Sequence, residues 1–254
     1  MAQASLGQLL RGIHAGHART IASAISLIEN RSSLALSLLK RLAPRIGHAH
    51  RIGFTGPPGV GKSTLIAQLA PHLKHRVHRL AIIAVDPTSP LTGGAFLGDR
   101  VRMQALTDDP SIFIRSMATR GAATGLAPTT KLVTNLFDAS GADPILLETV
   151  GAGQADVAVT RIVHTTVLVL TPGLGDTMQF LKAGLLELAH VIVVNKADHR
   201  GAPALVQELR RVLRVRDTAA WPLPIIPTVA EQGRGVTDVA HAIRRHRQWL
   251  ANNR

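Results

Sequence analysis

The residues best suited to chemistry form a glycine-rich run, GPPGVGKST, at positions 56 to 64. The run fits the pattern G-x-x-x-x-G-K-[ST] and stands between an apolar segment and a helical one. Glycines let backbone amides converge on phosphate oxygens, and the helix behind them adds the positive end of its dipole. Lys62 would bridge the β and γ phosphates of a nucleotide, and the Ser63 hydroxyl would bind Mg²⁺. The predicted phosphate-binding residues are Gly56, Pro57, Pro58, Gly59, Val60, Gly61, Lys62, Ser63 and Thr64.

A second polar group, Asn195-Lys196-Ala-Asp198, follows the apolar run VIVV. A carboxylate at Asp198 can accept hydrogen bonds from the N1–H and 2-amino groups of guanine, whereas adenine has an acceptor at N1 and no 2-amino group. Lys196 would lie along the base plane, and Asn195 would tie this loop to the phosphate loop. The spacing therefore favours GTP over ATP, although the group could also cap the next helix. A second base-contacting loop is predicted at Val229, Ala230 and Glu231.

Three carboxylates are candidates for the Mg²⁺ side of the site, together with Ser63. Asp86 and Glu148 end apolar runs, and Asp99 lies in a segment rich in Pro, Thr, Ser and Gly. Mg²⁺ on a nucleotide keeps several waters, and nearby carboxylates bind it directly or hold those waters. Each carboxylate could instead cap a helix. Gly151, three residues after Glu148, suits a backbone amide that meets the γ-phosphate and moves when that phosphate is lost.

These residues need a scaffold that brings several strand ends together. Short apolar runs alternating with helical segments predict an α/β fold, a doubly wound and mostly parallel sheet with helices on both faces. Residues 1–48 are predicted as a helical extension and residues 49–254 as the nucleotide-binding domain. The predicted strands are Ile52 to Thr55, Leu80 to Val85, Ile112 to Ile114, Ile145 to Leu147, Thr166 to Leu170, Val191 to Val194 and Ile225 to Val229.

Composition narrows the function. The chain has 254 residues and no cysteine, which excludes disulfides and thiolate metal sites. Its formal net charge is +13, but with 3% aromatic residues it has little to stack on bases, so nucleic acid is not an expected partner. No uninterrupted apolar run reaches the length of a membrane span, and the N-terminus does not read as a signal peptide, which predicts a cytoplasmic protein. The histidines are expected to be solvated surface residues, among them His48, His50, His72, His75 and His78.

Five segments in this order, GPPGVGKST, AVDPTSPLTGGAFLGDRVRM, ETVGAGQADV, PGLGDTMQFLKAG and NKAD, resemble the MeaB/ArgK GTPases. These are P-loop GTPases of the SIMIBI class that act as chaperones of adenosylcobalamin-dependent methylmalonyl-CoA mutase and related acyl-CoA mutases. The resemblance implies a Mg²⁺-dependent, slow GTPase whose nucleotide state gates cofactor loading and protects the mutase.

The resemblance also assigns roles to residues. It implies catalytic roles for Lys62, Asp99 and Glu148, with Asp86 and Asp99 in the first switch region. It implies switching and partner signalling for Gln154, Gln179 and Lys182. The chain departs from the family at Phe180 and Ala183 in the third switch, and at Val229, where the family has serine. The family continues beyond the position of Arg254 into a helical arm that forms its dimer, so a homodimer formed in that way is left open.

Three other functions remain compatible with the same motifs. A metallochaperone GTPase shares the phosphate loop but needs transferable metal ligands, which the lack of cysteine disfavours. A GTP-dependent scaffold would bind nucleotide without useful turnover. A kinase linked to amino-acid transport would need a phosphoacceptor site, for which the sequence offers no residue.

Overall fold

The computed structural model describes residues 5–74, 79–86, 103, 106–118, 128–151, 154–173, 184–214 and 221–253. Three residues with predicted roles, Asp99, Gln179 and Lys182, lie outside these ranges, as does the segment from Pro87 to Gly98. Within the described part of the chain, no helix is both long and apolar enough to span a membrane.

In the described part of the chain, seven strands form one sheet in the order β3-β2-β4-β1-β5-β6-β7, and every pairing between them is parallel. The predicted α/β class is therefore confirmed, with a described sheet that is wholly parallel rather than mostly so. Unbroken apolar runs such as VIVV suit strands buried on both faces. The strands are β1 (Arg51–Thr55), β2 (Arg79–Asp86), β3 (Ile112–Ala118), β4 (Ala142–Glu148), β5 (Thr165–Leu170), β6 (Val191–Val194) and β7 (Ile225–Pro227).

Helices cover both faces of the sheet, since a parallel connection must return across a face. The last strand, β7, ends at Pro227, two residues before the predicted end. The residues that follow it belong to the loop that leads to the site. The helices are α1 (Leu6–His14), α2 (Ala18–Glu29), α3 (Ser33–Leu42), α4 (Lys62–Leu73), α5 (Pro128–Ala139), α6 (Gln154–Thr160), α7 (Leu185–Leu188), α8 (Ala202–Arg214) and α9 (Val236–Asn252).

The N-terminal helices α1 to α3 pack on one face of the sheet, in the same apolar cluster as α5. Ile25 of α2 and Leu38 of α3 are fully buried in this cluster together with Ile83 and Ile145 of the sheet. Burial of large aliphatic side chains stabilises the fold by about 1.5–3 kcal/mol each. The helical extension is thus built onto the sheet, and a domain boundary at residue 48 stays a prediction.

The opposite face is covered by α4 and α9. Leu65 and Leu69 of α4 and Val239 of α9 are buried with Ile52 and Phe54 of β1. The first residue of α4 is Lys62, so the packing that seats α4 on β1 also fixes the phosphate loop between them.

The expectation that the histidines are solvated is wrong for the fully buried His246 and also for His50. Its side chain is 5% exposed, and its Nε2 lies 2.7 Å from Thr165 Oγ1, whose oxygen lies 2.8 Å from Nδ1 of the buried His246. The physical reason is position: His50 directly precedes the central strand β1, where α9 covers the sheet. Two other histidines of the predicted set, His48 and His72, are exposed as expected, whereas His75 and His78 lie outside the described residues.

Candidate active site

The phosphate loop connects β1 to α4 through backbone that only glycine adopts easily. Gly56 has φ 137°, and a Cβ there would lie 2.0 Å from the carbonyl oxygen of Val169 on β5. Gly61 has φ 92° and forms the N-cap of α4. Lys62 begins that helix, and its Nζ donates to the carbonyl oxygens of Gly56 and Pro57 at 2.8 and 2.9 Å. The ammonium group therefore lies over the loop where phosphates are bound in such motifs.

Ser63 and Glu148 meet although 85 positions separate them: Ser63 Oγ donates to Glu148 Oε1 at 2.6 Å. Both side chains are buried. Asp86 ends β2 beside them, because Ala84 pairs with Glu148 in the parallel register and Asp86 lies two residues further. Three predicted Mg²⁺-side residues, Ser63, Asp86 and Glu148, thus lie around the same carboxyl-terminal edge of the sheet, where open α/β sheets bind ligands.

This donor set fits Mg²⁺ on a nucleotide. It consists of one hydroxyl and two buried carboxylates, the oxygen ligands that Mg²⁺ prefers. Among the described residues no three His, Cys, Asp or Glu side chains form a metal cage of their own. That agrees with an ion that takes phosphate and water oxygens and needs only one or two protein ligands.

The backbone of Gly151 lies in close contact with the phosphate loop. It has φ 84°, and a Cβ there would lie 2.4 Å from Gly56 O, 2.8 Å from Pro58 N and 2.9 Å from Lys62 Nζ. Only a residue without a side chain fits this approach. The turn after β4 is therefore in contact with the loop that would hold the γ-phosphate. Gln154, three positions after Gly151, begins α6.

Asn195 ties the two predicted nucleotide loops together. Its Nδ2 donates to Val60 O at 2.8 Å, and its Oδ1 accepts from Thr228 Oγ1 at 3.1 Å and from Ala230 N at 3.0 Å. The side chain is 3% exposed. One amide thus joins the phosphate loop, the end of β6 and the loop after β7 through both of its polar atoms.

A cavity of about 270 Å³ opens beside this tie. Asp198 and Lys196 line it, together with Thr64 at the start of α4. Lys196 has φ 55°, a left-handed conformation that is uncommon for a residue with a side chain, and its Nζ donates to Gly59 O at 3.0 Å. Such conformations persist at ligand-binding positions because the surrounding contacts hold them. The other lining residues are Gly61, Asn195, His199, Val229, Ala230, Glu231 and Gln232.

Sequence reasoning missed several residues at this edge. His199 and Gln232 line the cavity, and each follows a singled-out residue by one position, which was the available signal. Asp156 was also missed: it is fully buried and accepts hydrogen bonds from Thr55 and Thr149. Its signal was an acidic residue five positions after Gly151, inside the quoted segment ETVGAGQADV.

Comparisons with known proteins show which family the chain is similar to. Residues 21–254 match the family model described as methylmalonyl Co-A mutase-associated GTPase MeaB. A protein of Pyrococcus horikoshii, named provisionally as a GTPase, is 45% identical over 249 residues, which are 96% of this chain and 78% of that protein. The Escherichia coli GTPase ArgK is 35% identical over 251 residues, covering 95% of this chain and 76% of its own.

Solved structures show the same fold. The crystal structure of an LAO/AO transport system kinase is similar with a TM-score of 0.77 and 27% identity, over 100% of this chain and 78% of that one. Since the family model matches residues 21–254, a range that includes the phosphate loop, the Glu148 turn and the Asn195 loop, this chain belongs to the MeaB family of GTPases.

Proposed function

We propose that this protein binds GTP with Mg²⁺, hydrolyses it slowly, and acts in the cytoplasm as a chaperone of an adenosylcobalamin-dependent acyl-CoA mutase, methylmalonyl-CoA mutase or a relative. Its nucleotide state would gate cofactor loading and protect the mutase. The observation that carries the proposal is the match of residues 21–254 to a family named for its association with methylmalonyl-CoA mutase.

Guanine selection follows from the cavity beside Asn195. The Asp198 carboxylate lines that cavity, and it can accept from guanine N1–H and the 2-amino group. Adenine would leave the carboxylate facing the lone pair of N1 and without a donor, so we expect the site to prefer guanine. Lys196 covers the cavity from the side, held by its bond to Gly59 O.

Phosphate binding and hydrolysis follow from the other half of the site. Lys62 holds the β and γ phosphates, while Ser63, Asp86 and Glu148 would hold Mg²⁺ or its waters, with Asp99 proposed as a further acid. When bound, Mg²⁺ supplies charge neutralisation for the transferred phosphoryl group. The chain's own contribution is to orient the phosphates with backbone amides, to place Lys62 over them, and to set Glu148 within hydrogen-bonding reach of Ser63.

Signalling to the mutase would begin at Gly151. Its backbone contacts the phosphate loop, and Gln154 begins the helix that follows the same turn. Loss of the γ-phosphate would release this turn, as in other nucleotide switches. Gln179 and Lys182 are proposed to carry the change to the partner.

The test is GTP turnover by the purified chain, alone and with a purified adenosylcobalamin-dependent methylmalonyl-CoA mutase. The proposal expects saturable GTP turnover that changes on adding the mutase, and a complex whose affinity differs between GDP and a non-hydrolysable GTP analogue. Asp198→Asn is the matched control, since it should respond to the mutase only with xanthosine triphosphate. If the mutase does not change GTP turnover and forms no complex with either nucleotide state, the chain would still be a GTPase, but the chaperone role would be refuted.

A further inference from the structure

A buried carboxylate, that of Asp156, lies in the helix that follows the turn after β4, and the proposed mechanism does not use it. Asp156 is in the first turn of α6 and is 0% exposed. Its Oδ1 accepts hydrogen bonds from Thr55 Oγ1 at 2.6 Å and from Thr149 Oγ1 at 2.5 Å. Thr55 is the last residue of β1, next to the phosphate loop, and Thr149 directly follows Glu148. One carboxylate oxygen therefore joins the starts of two loops of the site.

Thr149 is held from two sides. Its backbone N–H donates to Phe54 O at 3.1 Å, which attaches the main chain to β1. Its hydroxyl has one proton, and Asp156 Oδ1 at 2.5 Å is closer than Phe54 O at 3.3 Å. Hydrogen bonds to an ionised acceptor are roughly twice as strong as neutral ones. The hydroxyl therefore bonds to α6, and Thr149 bridges β1 and α6.

This arrangement fixes both ends of the turn that contains Gly151. Thr149 lies two residues before Gly151, and Asp156 lies in the helix that follows it. The approach of Gly151 to the phosphate loop is close enough that a single methyl group would collide with Gly56 O. Because Thr149 lies two residues before Gly151, the hydrogen bond from Thr149 to Asp156 helps to hold Gly151 in this close approach.

The second oxygen of Asp156 argues against a packing role. Oδ2 is buried and has no hydrogen-bond partner among the described residues. An incompletely satisfied buried carboxylate is costly, and an apolar side chain of similar size would fill the same volume without that penalty. Packing alone therefore does not explain this carboxylate, whereas its hydrogen bonds to the two hydroxyls do.

We infer that Asp156 is a positioning residue for GTP hydrolysis: through Thr55 and Thr149 it holds the Gly151 turn against the phosphate loop and couples that turn to α6. This inference rests on the proposed γ-phosphate contact of Gly151. Asp156 acts through the two threonines and touches no nucleotide itself.

The test compares GTP turnover with GDP affinity in variants of the whole chain. Asp156→Asn keeps the shape and weakens the acceptor; Thr149→Val removes one donor, and Thr149→Ser restores it. We expect Asp156→Asn and Thr149→Val to lower kcat about tenfold while the Kd for GDP changes less than about threefold, because the lost interaction acts on the γ-phosphate turn. Thr149→Ser should keep kcat within about twofold of the unsubstituted chain.

Thr134→Val is the matched control. Thr134 is a fully buried threonine on α5, whose hydroxyl donates to Thr130 O at 2.8 Å, away from the site. We expect Thr134→Val to lower the Tm and to leave kcat unchanged. If Asp156→Asn behaves like this control, with a lower Tm and an unchanged kcat, the positioning role is wrong.

The double variant separates coupling from independent effects. If Asp156 and Thr149 act as one unit, combining Asp156→Asn with Thr149→Val should lower kcat no further than either change alone. If the double variant loses kcat by the product of the two single losses, the two residues act independently and the coupling is wrong. An unsubstituted chain that does not hydrolyse GTP would refute the proposed function itself, whereas normal turnover in the chain and in both variants would refute this inference alone.

Discussion

Two buried histidines should make the folded state sensitive to mild acid. Burial lowers the pKa of His50 to about 3, helped by the positive charge of Arg247 and opposed by Asp143. Burial likewise lowers the pKa of His246 to about 4, with His190 and His164 adding to the shift. Both rings contact the hydroxyl of Thr165. The folded chain therefore keeps both imidazoles neutral at pH values where the unfolded chain protonates them.

The sign and size follow from proton linkage. A lowered folded-state pKa gives stability that is fully present above the unfolded value of 6.5 and is lost as the pH falls toward the folded values. Between about pH 7.5 and about pH 5.5 the unfolded chain gains most of one proton per histidine, which removes on the order of 1 kcal/mol for each histidine and about twice that for both. Burial also lowers the pKa of His190, so its contribution has the same sign.

Urea unfolding followed by circular dichroism at the two pH values measures this loss. His246→Gln removes one titrating ring, so about half of the loss assigned to the pair should disappear. The control is His48→Gln, the same substitution at an exposed position outside the buried pair. Asp138 does not add to this loss: burial alone would raise its pKa, but hydrogen bonds from Gly47 and Arg51 outweigh burial and hold that pKa below its usual value. An equal loss in His246→Gln and the unsubstituted chain would refute the argument.

Three substitutions test the proposed site directly. Asp198→Asn should move preference from guanine to xanthine nucleotides, measured by competition binding, and retained GTP preference would contradict the base assignment. Glu148→Gln should lower Mg²⁺-dependent turnover far more than GDP affinity, as measured by phosphate release and calorimetry, whereas equal losses would indicate a structural role. Gly151→Ala introduces a Cβ 2.4 Å from Gly56 O. The resulting strain of about 1–3 kcal/mol should displace the turn and lower GTP turnover about tenfold or more. Normal GTP turnover in this variant would exclude the Gly151 contact.

Part of this protein could be predicted from sequence because its signals are local. The phosphate loop depends on glycine backbone and a helix start, both written in residues 56 to 64. Apolar runs such as Val191–Val194 indicate strands buried on both faces, which implies a parallel sheet and a ligand edge at its carboxyl ends. Glu148 and Asn195 end such runs, so their place at that edge followed from the pattern.

Two features could not be predicted from the sequence: the hydrogen bonds of Asp156 to the two threonines, and the buried pair His50 and His246. Both depend on which strands become neighbours. Thr55 and Asp156 are 101 positions apart, and His50 and Thr165 are 115 apart. His50 looks like a surface residue in sequence, yet the central position of β1 and the cover of α9 bury it. By itself, the sequence determined the types of chemical group and the strand ends that bear them. The tertiary structure decided which groups meet, because strand order and helix packing set contacts that no local pattern encodes.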